Sequence, residues 1–543
     1  MAVVTQAPPH KPARNRSEVN WTEEAAPKTS NERLPMLKDS LGADLTAGFL
    51  VFLIALPLCL GIAKASGFPP VAGVLTAVVG GLLSGLFSNS ELTIKGPAAG
   101  MIAIVLGAMT DFGFTAGTDA YADMHAYKLV LAVGVVAGVA QILFGLFRAG
   151  ILCEFFPLAP VHGLLASIGL IIIAKQIHPV LGAASPKDGP VGCYAKIPQS
   201  IMNMDAKVAS IGLLSLAIMF LYPALKSRLK VVGKVPAQLL VLLIAIPLGQ
   251  ALHLPSDKLI SLPEKMTDAI AFPDFSQVLG STSLKWVLMF ALVGTLESML
   301  SAKAIDLLDP WKRKTDMNRD VLGVGVANTA AAAIGGLPMI SEILRSSANI
   351  GNGARTRTSN AAHGLFLLLS IVFLAPLVKL IPLAALGAML VFAGFRLASP
   401  KEFLHMWKAG PGQFLVFCLT IAFIIPEGHL LNGIFVGVAA ELLLNIFTGA
   451  SIFSLFKAHV ETTTDRGDVR LNVAGSLTFT NWIPFLKQLR KADMVRGDRL
   501  VLDLTEAHPV DRTARDKLAV LQREFTSDGR ELQVLGLATA GAH

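Results

Sequence analysis

Between residues 43 and 456 the chain breaks into about fourteen apolar segments, near 43–65, 69–88, 97–110, 128–149, 152–174, 207–226, 236–252, 282–304, 319–336, 339–353, 358–375, 378–398, 411–426 and 429–456. A helix of roughly 20 apolar residues crosses the hydrocarbon core of a bilayer. In lipid every backbone N–H and C=O must be satisfied within the protein, so a succession of such segments points to a bundle of membrane-spanning helices. The expected fold class is therefore an all-α polytopic membrane protein. Only 15% of the 543 residues are charged, against about 25% in an ordinary soluble domain.

The charge is unevenly placed. Residues 457–543 hold 25 charged side chains, whereas the 414 residues of 43–456 hold 48. That shift sets three expected regions: a polar, disordered N-terminal segment at 1–42, a membrane domain at 43–456 and a soluble tail at 457–543. Residues 1–42 show no cleavable signal peptide, and Leu34–Leu41 suits a short interfacial helix. The four cysteines, Cys59, Cys153, Cys193 and Cys418, form no CxxC or Cys/His cluster, which argues against a disulfide scaffold or structural zinc. No basic stripe with interleaved aromatics is present, so nucleic acid is not an expected partner.

Loops following the even-numbered segments carry Lys226, Arg228, Lys230 and Lys234; Lys312, Arg313, Lys314 and Arg319; Arg355 and Arg357; Lys401 and Lys408. The positive-inside rule then places both termini in the cytoplasm. An internal repeat is also visible. Leu56–Leu60 followed by Ala63-Lys64-Ala65 matches Leu296–Leu300 followed by Ala302-Lys303-Ala304 at an offset of about 240, and Pro97 and Pro338 lie 241 apart. Seven segments per half, an odd number, make the second half inverted relative to the first. Inverted repeats with short, Gly/Pro-interrupted helices mark a secondary transporter with its site near the midplane.

The two short segments follow Gly96-Pro97 and Gly336-Leu337-Pro338. A helix starting inside the membrane presents its free N–H groups and positive dipole end there. Two such ends facing each other make an anion site from backbone, and small side chains admit the anion. Ala98, Ala99 and Gly100 would line one side. Met339, Ile340 and Ser341 would line the other, with Ser346 and Arg345 adding polar groups and positive potential. For Arg345, snorkelling to the surface is the competing reading.

Glu297 falls inside the eighth segment, where an ionisable residue is expensive. Ser301 is one turn on, so the two could ligate Na⁺, or Glu297 could carry a proton; a packing-only pair is the alternative. Lys95 precedes the first short helix and Glu342 opens the second, which suggests an ion pair across the site that could act as a gate or proton switch. Glu427, His429 and Glu441 read as rim or packing residues. No Walker, GxSxG or HExxH motif is present, and the eleven histidines are scattered. The chain is thus expected not to be an enzyme and to need no cofactor beyond a coupling ion.

Leu56-Pro57, Lys95–Gly100, Leu296-Glu297-Ser298, Gly335–Pro338, Leu344–Asn349 and Gly353–Arg357 together resemble the sulfate permease (SulP, solute-carrier-26) family over residues 34–543. The resemblance implies a seven-plus-seven inverted repeat in which helices 1–4 and 8–11 form a core and 5–7 and 12–14 a gate. It implies elevator-like transport of small anions, usually by a homodimer. The similarity is greater to bacterial bicarbonate-type members, in which residues matching Glu297 and Ser301 serve Na⁺. Glu342 departs from the small residue usual at its position. The tail reads as strand, helix, strand, helix, strand over 469–473, 482–490, 499–504, 513–525 and 531–537, and resembles a short STAS domain. Val510–Ala514 lacks the Ser and Gly of the Asp-Ser-x-Gly pattern such domains often carry, which favours a folding, dimer-contact or trafficking role.

The expected function is secondary-active transport of a small inorganic anion across a bacterial inner membrane. Bicarbonate is first, sulfate second and a C4-dicarboxylate third, with coupling to Na⁺ or H⁺. Membrane lipid and a second copy of the chain are the expected partners. A passive anion channel, a nucleobase:proton symporter and a non-transporting sensor remain as rivals.

Overall fold

The structure, a computed structural model, describes residues 37–536 except 149–154, 156, 187, 226–234, 265–268, 427, 429, 466–467, 494–498 and 528–529. The expectations for residues 1–36, Cys153, the basic loop Lys226–Lys234, Glu427 and His429 lie outside the described residues.

The first half runs α1 (Leu37–Ala65), α2 (Pro70–Phe87), strand β1 (Ile94–Gly96), a 3₁₀ turn (Ala99–Met101) leading into α3 (Ile102–Asp111), α4 (Ala120–Leu146) and α5 (Leu158–Val180). It continues through the short α6 (Pro190–Ala195) and α7 (Ile197–Met202) to α8 (Ala206–Leu225) and α9 (Ala237–Ala251). The second half runs α10 (Ser281–Leu308), α11 (Met317–Ala333), strand β2 (Ile340–Glu342), α12 (Ile343–Gly351), α13 (Thr358–Phe373), α14 (Ala375–Val378) and α15 (Leu383–Leu397). It ends with α16 (Pro400–Ala409), α17 (Pro411–Ile424), α18 (Leu430–Phe447) and α19 (Ile452–Phe456). Six helical stretches are long and apolar enough to span by themselves, and six shorter apolar helices accompany them.

Each of the fourteen expected segments has its helix, with two corrections. The two short segments do not begin as helices. The first starts with the 3₁₀ turn and the second with β2, and their α-helical parts, α3 and α12, then begin 241 residues apart. The repeat is therefore kept where the helices start and broken one turn earlier. Residues 37–41 form no separate interfacial helix: α1 is continuous from Leu37.

Packing divides the helices into two groups. α1, α2, α4, α10, α11 and α13 pack on one another as the core; α5 packs on α15, α17 and α18, and α8 on α9 and α15, as the gate. The core has a close helix crossing: a Cβ on Gly138 of α4 would sit 2.6 Å from the Thr329 amide nitrogen of α11. Small residues let backbones approach this closely where no hydrophobic force drives helices together in lipid. Between the groups, α1 touches α15 and α9, and the 3₁₀ turn at 99–101 touches α5 and α15. The first half-helix thus opens at the seam between core and gate.

The tail folds as β3 (His459–Asp465), β4 (Asp468–Leu477), α20 (Trp482–Asp493), β5 (Arg499–Asp503), β6 (Ala507–Val510), α21 (Arg512–Ser527) and β7 (Glu531–Leu535). The sheet order is β3-β4-β5-β7, with β6 also pairing β4. Trp482, Phe485, Leu471, Leu502 and Leu518 are among its core residues. The five expected elements are present, with β3 and β6 added. β3 escapes a hydrophobic reading because it is a polar edge strand rich in Thr, paired on one side only by β4.

Candidate functional site

The two half-helices meet through a two-stranded antiparallel ladder in which Ile94 faces Glu342, Lys95 faces Ser341 and Gly96 faces Ile340. Side chains alternate across a strand. Lys95 and Ser341 therefore share one side of the ladder, and Glu342 belongs to the other. This register is why the expected Lys95–Glu342 pair is not formed. Lys95 Nζ instead donates to Asp320 Oδ1 at 2.6 Å, to Ser341 Oγ at 2.6 Å and to Thr93 Oγ1 at 2.8 Å. Asp320 also accepts from Ser88 Oγ at 2.5 Å and Ser341 Oγ at 3.2 Å. All three ammonium protons are used, and both groups are buried.

The ladder is pinned on every side. Lys95 N donates to Asn360 Oδ1 of α13, and Ser341 N to Ser298 Oγ of α10. Asn328 of α11 receives the Met339 N–H at 2.6 Å and gives its own Nδ2–H to the Met339 carbonyl and to Gln141 Oε1 of α4. Ser346 Oγ accepts from Ile94 N and donates to the Glu342 carbonyl. In this conformation Met339, Ile340, Ser341 and Ser346 hold the crossing together. Asp320, Asn328, Gln141 and Ser298 were missed by sequence reading. Asp320 had a usable signal, as an acidic residue inside the expected membrane segment 319–336.

Glu342 is the N-cap of α12, and its carboxylate accepts the Arg345 backbone N–H at 2.9 Å. Arg345 is 2% exposed, so it does not snorkel. Its Nη2 donates to the Pro97 carbonyl at 2.9 Å, its Nη1 is 3.5 Å from Cys59 Sγ of α1, and its Nε has no partner. The second half-helix thus delivers a guanidinium to the opening of the first. Arg396, in the last turn of gate helix α15, lies within electrostatic reach of Glu342.

Glu297 of α10 is also buried, and its Oε1 has no hydrogen-bond partner. A Cβ on Gly100 would stand 2.4 Å from that oxygen and 2.6 Å from Oε2. The carboxylate therefore lies directly against the 3₁₀ turn of the first half-helix, where only glycine leaves room. Ser301, one helical turn on, is buried on the same helix. Glu441, read as a rim or packing residue, is buried in α18 and accepts from Gln413 Nε2 of α17 at 2.7 Å. Among the described residues no group of three His, Cys, Asp or Glu side chains is placed to hold a metal ion.

The groups gathered between core and gate are thus a helix start made of Ala98, Ala99 and Gly100, a buried guanidinium, a buried carboxylate and a capped second helix start. Such a set can hold a small anion through backbone N–H groups and one fixed charge.

The profile of the sulfate permease family matches residues 41–420. YvdB of Bacillus subtilis, whose name assigns it to sulfate transport, is 27% identical over 511 residues, spanning 91% of each chain. The bicarbonate transporter BicA of Picosynechococcus is 24% identical over 523 residues, spanning 92% of this chain and 89% of that protein. Among solved structures, the transmembrane domain of a cyanobacterial BicA superposes with a TM-score of 0.63 at 23% identity, covering 75% of this chain and 99% of that domain.

Proposed function

Because the chain belongs to the sulfate permease family and is a polytopic membrane anion transporter, not an enzyme, we propose that it is a secondary-active, elevator-type carrier of bicarbonate. The observation that carries this reading is the buried guanidinium of Arg345 at the opening of the first half-helix, with the Glu342 carboxylate on the Arg345 backbone N–H and the Glu297 carboxylate against Gly100 of the same opening. Lys95 adds no free charge, since Asp320 neutralises it at 2.6 Å. With Glu297 and Glu342 close by, Arg345 is the cation that reaches the opening of the first half-helix, a field that suits a monovalent oxyanion better than a divalent one. Sulfate is the second reading, favoured by the relative named for sulfate transport, and a C4-dicarboxylate the third.

In this mechanism the core carries the anion between the half-helix ends while α5 and α15 of the gate form the wall it slides along. Ala98, Ala99 and Gly100 bind through backbone N–H groups, Arg345 supplies charge, and Met339, Ile340, Ser341 and Ser346 shape the opposite side. Glu297 with Ser301 takes the coupling Na⁺, or Glu297 alone the proton. The carrier works as a homodimer in a bacterial inner membrane with both termini cytoplasmic.

The test is uptake of labelled bicarbonate and labelled sulfate into proteoliposomes, with and without an inward Na⁺ or H⁺ gradient. Gradient-stimulated bicarbonate uptake is expected. Sulfate uptake alone would move the substrate assignment, and flux indifferent to any gradient at channel-like rates would replace the carrier by a channel.

A further inference from the structure

Among the described residues, the STAS-like tail meets gate helices α5 and α18 at the turn from β6 into α21 and at the neighbouring 478–481 loop. Asp511, 6% exposed, accepts the backbone N–H of Ala514 at 2.6 Å, as an N-cap does, and that of Phe479 at 2.7 Å. Its Oδ2 also accepts from Asn445 Nδ2 of α18 at 3.3 Å. Two residues on, the fully buried Thr513 accepts the Leu158 N–H through Oγ1 at 3.1 Å. Leu158 is the first residue of α5, so the hydroxyl satisfies one of that helix's free N–H groups. The rings of Phe155 and Phe479 meet edge to face at the same seam.

Asn445 stands one helical turn beyond Glu441, whose Oε1 is held by Gln413 and whose Oε2 has no partner. Asn445 thus joins the buried carboxylate of the tail to the gate helix that carries the buried Glu441. We propose that Asn445 and Asp511 form the latch by which the cytoplasmic domain grips the gate, and that the state of this latch sets the turnover rate of transport. The position where a STAS domain would carry a modifiable serine is here Arg512, and the residues on either side of it are consumed in docking. The control clause rests on the anion-transport reading; the docking clause does not.

The charged groups facing Asp511 are Glu441 from α18, and from its own helix Lys517 and Arg515, whose Nε donates to the Val510 carbonyl. Arg512 is paired with Asp516. Asn445→Asp removes the α18 donor to Asp511 and places a third carboxylate beside it. Two carboxylates in contact cannot both stay ionised, so one takes up a proton on acidification.

The experiment uses full-length protein in proteoliposomes. Hydrogen exchange at the α5 N-terminus and the 478–481 loop reads docking, and uptake of labelled bicarbonate, or of sulfate if that is what the wild type carries, reads turnover. In N445D at pH 7.5, exchange at both places is expected to rise about tenfold or more, a factor that corresponds to about 1.4 kcal/mol. Vmax is expected to change about threefold with KM unmoved, and both effects should shrink relative to wild type at pH 5.5. Wild-type exchange in N445D overturns the latch. Loosened docking with wild-type Vmax overturns its control of transport. If neither anion is carried, the anion-transport reading and its control clause fail together, while exchange still decides the docking. Should N445D fail to insert, N445A carries the same readouts without the acid recovery.

Discussion

Lys95 Nζ lies 2.6 Å from Asp320 Oδ1, with both side chains almost fully withdrawn from solvent. The pair ties β1 to α11, and through Ser341 it also ties β2. It therefore sits behind the crossing of the half-helices and fixes how their ends face each other. Removing one partner leaves a buried charge alone, which costs about 3–5 kcal/mol, whereas replacing both by apolar groups is often near neutral. Lys95→Met and Asp320→Asn are each expected to lower the unfolding temperature of the solubilised protein sharply. The Lys95→Met/Asp320→Leu double variant should recover most of the loss. Single variants as stable as wild type would show that the pair does not hold the crossing.

The helices were legible because lipid imposes a length and an apolar composition that the chain must display. The half-helices were legible through Pro97 and Pro338. The ladder between them was not, because three residues are too few to show a period of two, and the register of Lys95 against Ser341 decides which ion pair forms. Asn328 was hidden for another reason: it bonds to Gln141, far away in sequence, and its segment, Met317–Ala333, is rich in Ala and Gly with little pattern to read. Glu297 was legible as an expensive charge in an apolar run. Its contact with Gly100, 197 residues away, was not.

Arg345 is both a charge and a fork. Lysine keeps the charge but cannot span from the Pro97 carbonyl to Cys59 with one planar group. Arg345→Lys is expected to raise KM for the transported anion about tenfold and leave folding intact, a loss of about 1.4 kcal/mol of binding. Arg345→Gln should abolish measurable uptake. An R345Q variant with wild-type KM would remove Arg345 from the site.

Glu342 caps α12, and its charge is felt by Arg396 on the gate. Glutamine can still accept the Arg345 N–H, so Glu342→Gln should fold normally while losing the charge that faces the gate. The KM for the transported anion is expected to change, and Arg396→Gln to add little further on the Glu342→Gln background. A wild-type KM in E342Q would end any role for Glu342 at the gate.

Burial raises the Asp511 carboxyl to about 6, against the hydrogen bonds from Ala514, Phe479 and Asn445 that favour its charged form. The unfolded chain holds this proton only below about 3.9. Between those values the folded domain binds a proton that the unfolded one does not, so its contribution to stability is fully present below about 4 and is lost as pH rises through 6. Urea unfolding of the C-terminal domain in the full chain should therefore show wild type gaining on Asp511→Asn as pH falls from 7 to 4.5. A constant difference between the two across that range would contradict the assignment.

Gly100 offers the sharpest separation of folding from transport. A methyl group there would meet the Glu297 carboxylate but strain no backbone, since Gly100 does not adopt the left-handed conformation. The clashing atoms are the end of a flexible side chain, so the carboxylate can swing aside at little cost to the fold. Gly100→Ala should therefore unfold within a few degrees of wild type. Its displaced carboxylate no longer lies against the first half-helix, and the added methyl narrows the approach to the N–H groups. Uptake is expected to fall roughly tenfold or more, with the dependence on the coupling ion weakened in parallel, as in Glu297→Gln. If G100A transports normally with intact ion dependence, the contact between Glu297 and the first half-helix has no part in coupling. If G100A unfolds instead, the carboxylate is held far more rigidly than its unpartnered Oε1 implies.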